Sequence, residues 1–232
     1  MNKIAIIGAM ELEVDTLKAS MNISNTKIHA GMEFFEGTLN NTPVVIVHCG
    51  IGKVNAGICV QILADLFHVT HIINTGIAGA LNSKLKIGDI LISKDALQHD
   101  VDITIFGYEK GQIPNIPTTF AADETLIDFA LRSCEHISFD SAFYTGRIVS
   151  GDQFISSNEI KKRLITDFNG DCAEMEGAAI AQASYLNHLP FVIIRAISDS
   201  ADDNVEMDYP TFERNAAKIS ARIVSNLLQY LS

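Results

Sequence analysis

The chain has no tryptophan, few basic residues, few cysteines and no long apolar run, and each shortage excludes something. Lysine and arginine number 17 against 28 aspartates and glutamates, for a formal net charge of -11. Nucleic-acid binding depends on cations that neutralise phosphates. No basic stripe is present, so DNA and RNA are not expected partners. A small, neutral or cationic substrate suits this surface better. The four cysteines, Cys49, Cys59, Cys134 and Cys172, are scattered and form no C-x-x-C. A zinc or dithiol site is therefore not indicated, and buried reduced thiols are the ordinary expectation inside a cell. No apolar run approaches the ~20 residues of a membrane span. The opening run KIAIIG is too short, and too quickly followed by acids, for a secretion signal. The expectation is a cytoplasmic protein that touches no membrane.

What is there is a well-packed composition, 47% hydrophobic over 232 residues, enough for one sizeable core and one domain, 1–232. Short Ile/Val-rich runs recur: KIAIIGA, TPVVIVHCG, VTHIINTGIAG, GDILISKDAL, GRIVSG and PFVIIRAISD. Their near-continuous hydrophobicity indicates strands buried on both faces. Between them KVNAGICVQILADLF, DETLIDFALRSCEHI, SNEIKKRLITDF, EGAAIAQASYL and YPTFERNAAKISARIVSNLLQYL read as amphipathic helices. This alternation predicts a three-layer α/β/α sandwich on a mixed, largely parallel central sheet. The stretch FFEGTLNNTPVVIVH breaks the pattern, and its Asn-Asn predicts an antiparallel hairpin. GYEKGQIPNIPTT is the longest irregular segment, a candidate lid or contact surface.

In an open α/β sheet, ligands gather beyond the carboxyl ends of the strands. The residues there are Met10, Glu11 and Glu13; then Gly76, Ile77, Ala78 and Gly79; then Gly151, Asp152, Gln153 and Phe154. Glu174, Met175 and Glu176 follow a short strand, DCAEME, and Asp199 follows the last one. Asp199 comes close after a buried strand, where a carboxyl can act as a general acid. Asp202 and Asp203 read as capping or solvated residues. Glu176 opens an Ala-rich helix, where a carboxylate favours the positive helix end; the alternative is an acceptor for ribose hydroxyls. Arg195 lies inside an apolar run and needs a partner; Glu176 or the substrate site is the first candidate, a structural ion pair elsewhere the second. NTGIAGA matches no phosphate-loop pattern, so its glycines are taken as giving a ligand access to the backbone. His99, Asp100 and Asp102 do not carry metal-ligand spacing.

Together these residues resemble one family, the 5′-methylthioadenosine/S-adenosylhomocysteine nucleosidases of the purine nucleoside phosphorylase-like superfamily. IGAMELEV, GIGKVNA, INTGIAGAL, GDI, HDVDITIFGYEKGQIP, VSGDQFI, AEMEGAAIA and PFVIIRAISDSAD occur in family order over essentially the whole chain. The resemblance implies irreversible hydrolysis of an N-glycosidic bond, giving adenine and a 5-thioribose, with no metal or cofactor. It implies that Glu13 activates the attacking water and that Asp199 donates a proton towards adenine N7. It gives Glu176, with Met175, the ribose hydroxyls. Phe154 stacks on adenine and the Ile155 backbone bonds its edge. Arg195 lies near the ribose and water, and Met10, Ile51, Ile77, Gly79 and Ser198 complete the substrate pocket. Ile103 joins that lining, and with Phe106, Tyr108 and Pro114 it is expected to close the 5′-alkylthio pocket of the partner in a homodimer.

The resemblance also explains why the first strand ends on acids. Phosphorolytic relatives have basic residues for phosphate in that region, and a glutamate there repels phosphate and can deprotonate water. Ile77 replaces the family's usual serine and Gly177 a common alanine. QHDVD, SGDQF and EMEG look more like the branch that also cleaves 6-amino-6-deoxyfutalosine. A phosphate-dependent phosphorylase and a non-catalytic nucleoside-binding protein are the alternatives.

Overall fold

The computed structural model describes residues 2–135, 141–201 and 209–231, without the side chains of 209–213. Asp202 and Asp203 lie outside the described residues, as do the last two residues of the DETLIDFALRSCEHI helix. The strands are β1 (Ile4–Gly8), β2 (Asn22–His29), β3 (Met32–Leu39), β4 (Thr42–His48), β5 (His71–Ala80), β6 (Ile90–Gln98), β7 (Phe120–Ala121), β8 (Phe143–Ser150), β9 (Cys172–Glu174) and β10 (Phe191–Asp199). The helices are α1 (Glu11–Ser20), α2 (Lys53–Phe67), α3 (Glu124–Glu135), α4 (Asn158–Phe168), α5 (Gly177–Leu186) and α6 (Tyr209–Leu227).

All ten strands form one sheet ordered β10-β6-β8-β9-β5-β1-β4-β3-β2, with β7 on β6. β1 runs parallel to β4 and β5, β5 parallel to β10, and β8 parallel to β6 and β9. The antiparallel pairs are β2–β3, β3–β4, β5–β9, β6–β7 and β6–β10. Because β5 pairs with both β9 and β10, five strands close into a ring. β8 and β9 run against β5 and β10, and the short overlap of Gly79 with Ala173 and Ala80 with Cys172 brings the carboxyl-terminal residues of these strands close together at one rim of the ring.

The central strands β1, β4, β5 and β10 bury both faces, as their continuous apolar runs require. On β1, Ala5 and Ile7 face the core under α2 and α5, while Ile4 and Ile6 face the core under α1, α3 and α6. Each buried Ile or Leu on these faces contributes about 1.5–3 kcal/mol relative to an exposed one. The α/β/α layering follows. The predicted hairpin turn is Asn40–Asn41, both with positive φ, the primed turn that matches strand twist.

Besides the two-residue β7, two elements lie where the sequence pattern indicates none. α1 begins directly after β1, so the acids there occupy a helix rather than a turn. β2 is an edge strand, exposed along nearly its whole length. It has no buried face and hence no apolar periodicity to reveal it. No helix among the described residues is long and apolar enough to cross a membrane.

Candidate active site

Beyond the rim lies one cleft whose walls include Met10, Glu13, Ile51, Ile77, Gly79, Phe154, Ile155, Met175, Glu176, Ser198 and Asp199. Its other lining residues are small or polar: Ala9, Ala78, Gln153, Ala173, Glu174 and Ala201. Among the described residues the cleft presents no lysine, arginine or histidine.

Glu13 sits in the first turn of α1 and folds back on the helix start. Its Oε2 accepts the N–H groups of Ala9 (2.6 Å) and Met10 (2.9 Å), and its Oε1 accepts Ile77 N–H at 3.2 Å. A helix N-terminus leaves such donors free, and a carboxylate three residues in satisfies them. Burial pushes the Glu13 carboxyl above its ordinary range, against the pull of Arg195 and of the N–H groups of Met10, Ala9 and Ile77. Glu11, its neighbour, is exposed and pairs with Lys18.

Asp199 ends β10. Its Oδ1 accepts Ala201 N–H at 2.7 Å and its Oδ2 accepts the Ser198 hydroxyl at 2.8 Å. Glu176 is the N-cap of α5, and its Oε1 accepts Gly52 N–H at 2.7 Å. Its carboxyl is pushed up to about 8, by burial first and by the Glu174 charge second. The loop that holds it, Gly50-Ile51-Gly52, needs glycine: φ is 83° at Gly50 and 98° at Gly52. Ile51 and Phe154 are exposed at the cleft mouth, with Phe154 at 54%. An aromatic left this open is available to a flat ligand rather than to the core.

One of the two β5 glycines departs from expectation. A Cβ on Gly76 would lie 2.6 Å from Glu13 Oε1, and one on Gly79 would lie 2.8 Å from Asp199 Oδ1. Gly79 lines the cleft and Gly76 does not. Three residues apart on a strand, they face opposite sides, and each vacates the space that one carboxylate fills. The missing side chains make room for the acids, and at Gly76 not for a ligand.

Arg195 also differs. It lies behind the cleft wall, fully buried, and its partner is Glu174, not Glu176: Nη2 bonds Glu174 Oε2 and Asn74 Oδ1, each at 2.5 Å. Burial works against the guanidinium charge, and Glu174, Glu13 and Glu176 together outweigh it. Sequence reasoning missed Asn74 and Ser150, polar residues in otherwise apolar strands; that contrast, which singled out Arg195, was the available signal.

Ile103, Phe106, Tyr108 and Pro114 do not line this cleft. They lie on the 3₁₀ turn Thr104–Phe106 and the loops around it, where Ile105 and Phe106 are 87% and 77% exposed. Among the described residues, His99, Asp100 and Asp102 belong to no metal-ligand cluster, and Asp100 pairs with Lys53 Nζ at 2.5 Å. All four cysteines are buried and free.

The phosphorylase superfamily model matches residues 3–229. The chain is 42% identical over 225 residues to a 5′-methylthioadenosine/S-adenosylhomocysteine nucleosidase of Halalkalibacterium halodurans, covering 97% of this chain and 96% of the relative. A nucleosidase of the same kind from Colwellia psychrerythraea, solved with adenine, superposes with a TM-score of 0.95 at 41% identity, over 99% of this chain and 96% of that one. The futalosine hydrolase of Helicobacter pylori superposes with a TM-score of 0.92 at 30% identity, over 99% and 98%. Sequence likeness along the full length and an almost superimposable fold lead to one assignment: the chain belongs to the 5′-methylthioadenosine/S-adenosylhomocysteine nucleosidases of the phosphorylase superfamily.

Proposed function

We propose that the protein hydrolyses the N-glycosidic bond of 5′-methylthioadenosine and S-adenosylhomocysteine, releasing adenine and the corresponding 5-thioribose. The observation that carries hydrolysis over phosphorolysis is the charge of the cleft. It offers Glu13, Glu176 and Asp199 and, among the described residues, no basic side chain for a phosphate.

In this reading Glu13, its carboxyl raised by burial, takes a proton from water. Asp199 donates a proton towards adenine N7, so that the base leaves neutral. The sugar passes through an oxocarbenium-like state, which nearby carboxylates stabilise. Glu176 accepts the ribose hydroxyls beside Met175. Phe154 stacks on the base, the Ile155 backbone bonds its edge, and Met10, Ile51, Ile77, Gly79 and Ser198 shape the pocket around it. The chemistry calls for no cofactor.

The protein acts, in this reading, as a two-fold homodimer. Exposed Ile105 and Phe106, with Val54 on α2 at 71%, leave apolar surface unsuited to water. Ile103, Phe106, Tyr108 and Pro114 serve the partner's 5′-alkylthio pocket. Four buried thiols suit a cytoplasmic location. The likeness to the futalosine hydrolase supports a substrate range that extends to 6-amino-6-deoxyfutalosine.

The test is adenine release from methylthioadenosine with and without phosphate. The rate is expected to be the same, with free 5-methylthioribose as product. A sugar 1-phosphate would replace this reading with phosphorolysis, and tight nucleoside binding without turnover would replace it with a binding protein.

A further inference from the structure

Glu174 ends β9 immediately before the ribose-facing pair, and its carboxylate is saturated with donors. Oε2 accepts Arg195 Nη2 at 2.5 Å, Gly177 N–H at 2.8 Å and Glu176 N–H at 3.2 Å. Oε1 accepts Gly177 N–H at 3.0 Å and the Ser150 hydroxyl. The Ser150 oxygen in turn accepts Ala178 N–H at 2.7 Å. The free N–H groups of the first turn of α5 are thus fixed from inside the protein by Glu174 and Ser150, on two different strands. Glu176 is the residue on which that turn begins.

The same carboxylate settles where the buried cation goes. Arg195, Glu174, Glu13 and Glu176 share one buried region, one positive charge among three acids. Among the described residues, the ion pair of Arg195 is with Glu174. Its other anchor, Asn74 Oδ1, is itself positioned, because Asn74 Nδ2 bonds the Ile7 carbonyl at 2.8 Å. Among the described residues, the hydrogen bonds that Glu13 and Glu176 accept consequently all come from backbone N–H groups.

We propose that Glu174 is a positioning residue for the reaction: it locks the head of α5 so that Glu176 faces the sugar, and it engages Arg195 so that Glu13 and Glu176 have no ion-pair partner. The inference deepens the hydrolytic reading and rests on it. Among the described residues, the charged groups around Glu13 and Glu176 are Arg195 and Asp199 from β10 and Glu174 from β9. Two thiols stand nearby, Cys49 after β4, pushed up to about 12, and Cys172 on β9, held well above its ordinary value by burial. Both stay neutral at working pH. Among these groups, Glu174 is the anion whose loss frees the cation. An unpaired Arg195 would favour the ionised forms of Glu13 and Glu176.

The experiment compares Glu174→Gln and Ser150→Ala with the unaltered enzyme, measuring kcat and KM for methylthioadenosine from pH 5 to 9 and adenine binding by titration. For Glu174→Gln the expected result is an ascending limb of kcat/KM moved to lower pH by about one unit or more, with KM raised at least fivefold. Ser150→Ala removes a helix anchor without changing charge. It is expected to raise KM at least threefold, leave the limb in place and leave adenine affinity unchanged. A folded Glu174→Gln enzyme with an unshifted limb and unaltered KM would overturn the proposal. If that variant does not fold, an unchanged KM in Ser150→Ala overturns it and a raised KM with normal adenine binding supports it. Failure of the unaltered protein to release adenine from any of the three nucleosides would instead remove the hydrolytic reading itself.

Discussion

Replacing Gly76 with alanine tests whether Glu13 is held where water must be activated. A Cβ at this position would stand 2.6 Å from Glu13 Oε1, 3.1 Å from its Cδ and 3.2 Å from Arg195 Nη1. Relief to ordinary contact, which begins at 3.4 Å, moves the oxygen by about 0.8 Å. The carboxylate cannot rotate freely to absorb this, because Ala9 and Met10 N–H groups hold its other oxygen at 2.6 and 2.9 Å. The contact that gives way first is the longest, Ile77 N–H at 3.2 Å, adjacent to the new methyl. A misplacement of about 1 Å at a reacting group costs on the order of 100-fold. Overpacking of this kind also lowers stability by about 1–3 kcal/mol. The assay is steady-state adenine release from methylthioadenosine, with thermal unfolding as the check on folding. The expected result is a folded protein whose kcat is 30- to 300-fold lower (about 100-fold), with adenine affinity little altered. A folded Gly76→Ala enzyme within threefold of normal kcat would show that Glu13 has slack, and the argument from its fixed position would fail.

Three further predictions follow the same geometry. Glu13→Gln and Asp199→Asn are each expected to lower kcat by ~10²–10⁴ while preserving the unfolding temperature; near-normal turnover in either would remove that residue from its role. Glu176→Gln is expected to stabilise the protein increasingly as pH rises. Between the ordinary carboxyl value of 4.5 and about 8 the folded protein keeps a proton that the unfolded chain has released, so native stability falls with pH across that window. At about 1.4 kcal/mol per unit the loss is on the order of a few kcal/mol, and thermal melts that show the variant's advantage equal at pH 5 and pH 9 would contradict it. Phe106→Asp is expected to weaken self-association and raise KM for methylthioadenosine at least tenfold, by analogy with the few kcal/mol of a buried aromatic; light scattering and kinetics that show an intact dimer with normal KM would contradict it.

The local pattern carried a good part of this protein. α2 coincides with KVNAGICVQILADLF, and the hairpin turn falls on the Asn pair that sequence singled out, because both signals are local. Reading the residues after each strand led to the walls of the cleft: the parallel β1, β5 and β10 open onto it together, and β8 and β9, which run the other way, reach it through their short overlap with the end of β5. β2 was illegible because a two-sided exposed edge has no hydrophobic period, and α1 because its acids read equally well as a turn. The partner of Arg195 needed the tertiary structure. A buried arginine announces that it must be neutralised, but Asn74 is 121 residues away and Glu174 is 21 away. Two glutamates two residues apart compete for it. Only the strand order, with β5 beside both β9 and β10, brings Glu174 to the guanidinium and leaves Glu176 bonded to the Gly52 N–H instead. Chain composition sets which charges must be compensated, while the choice of partner is made by distances that exist only once the sheet has closed.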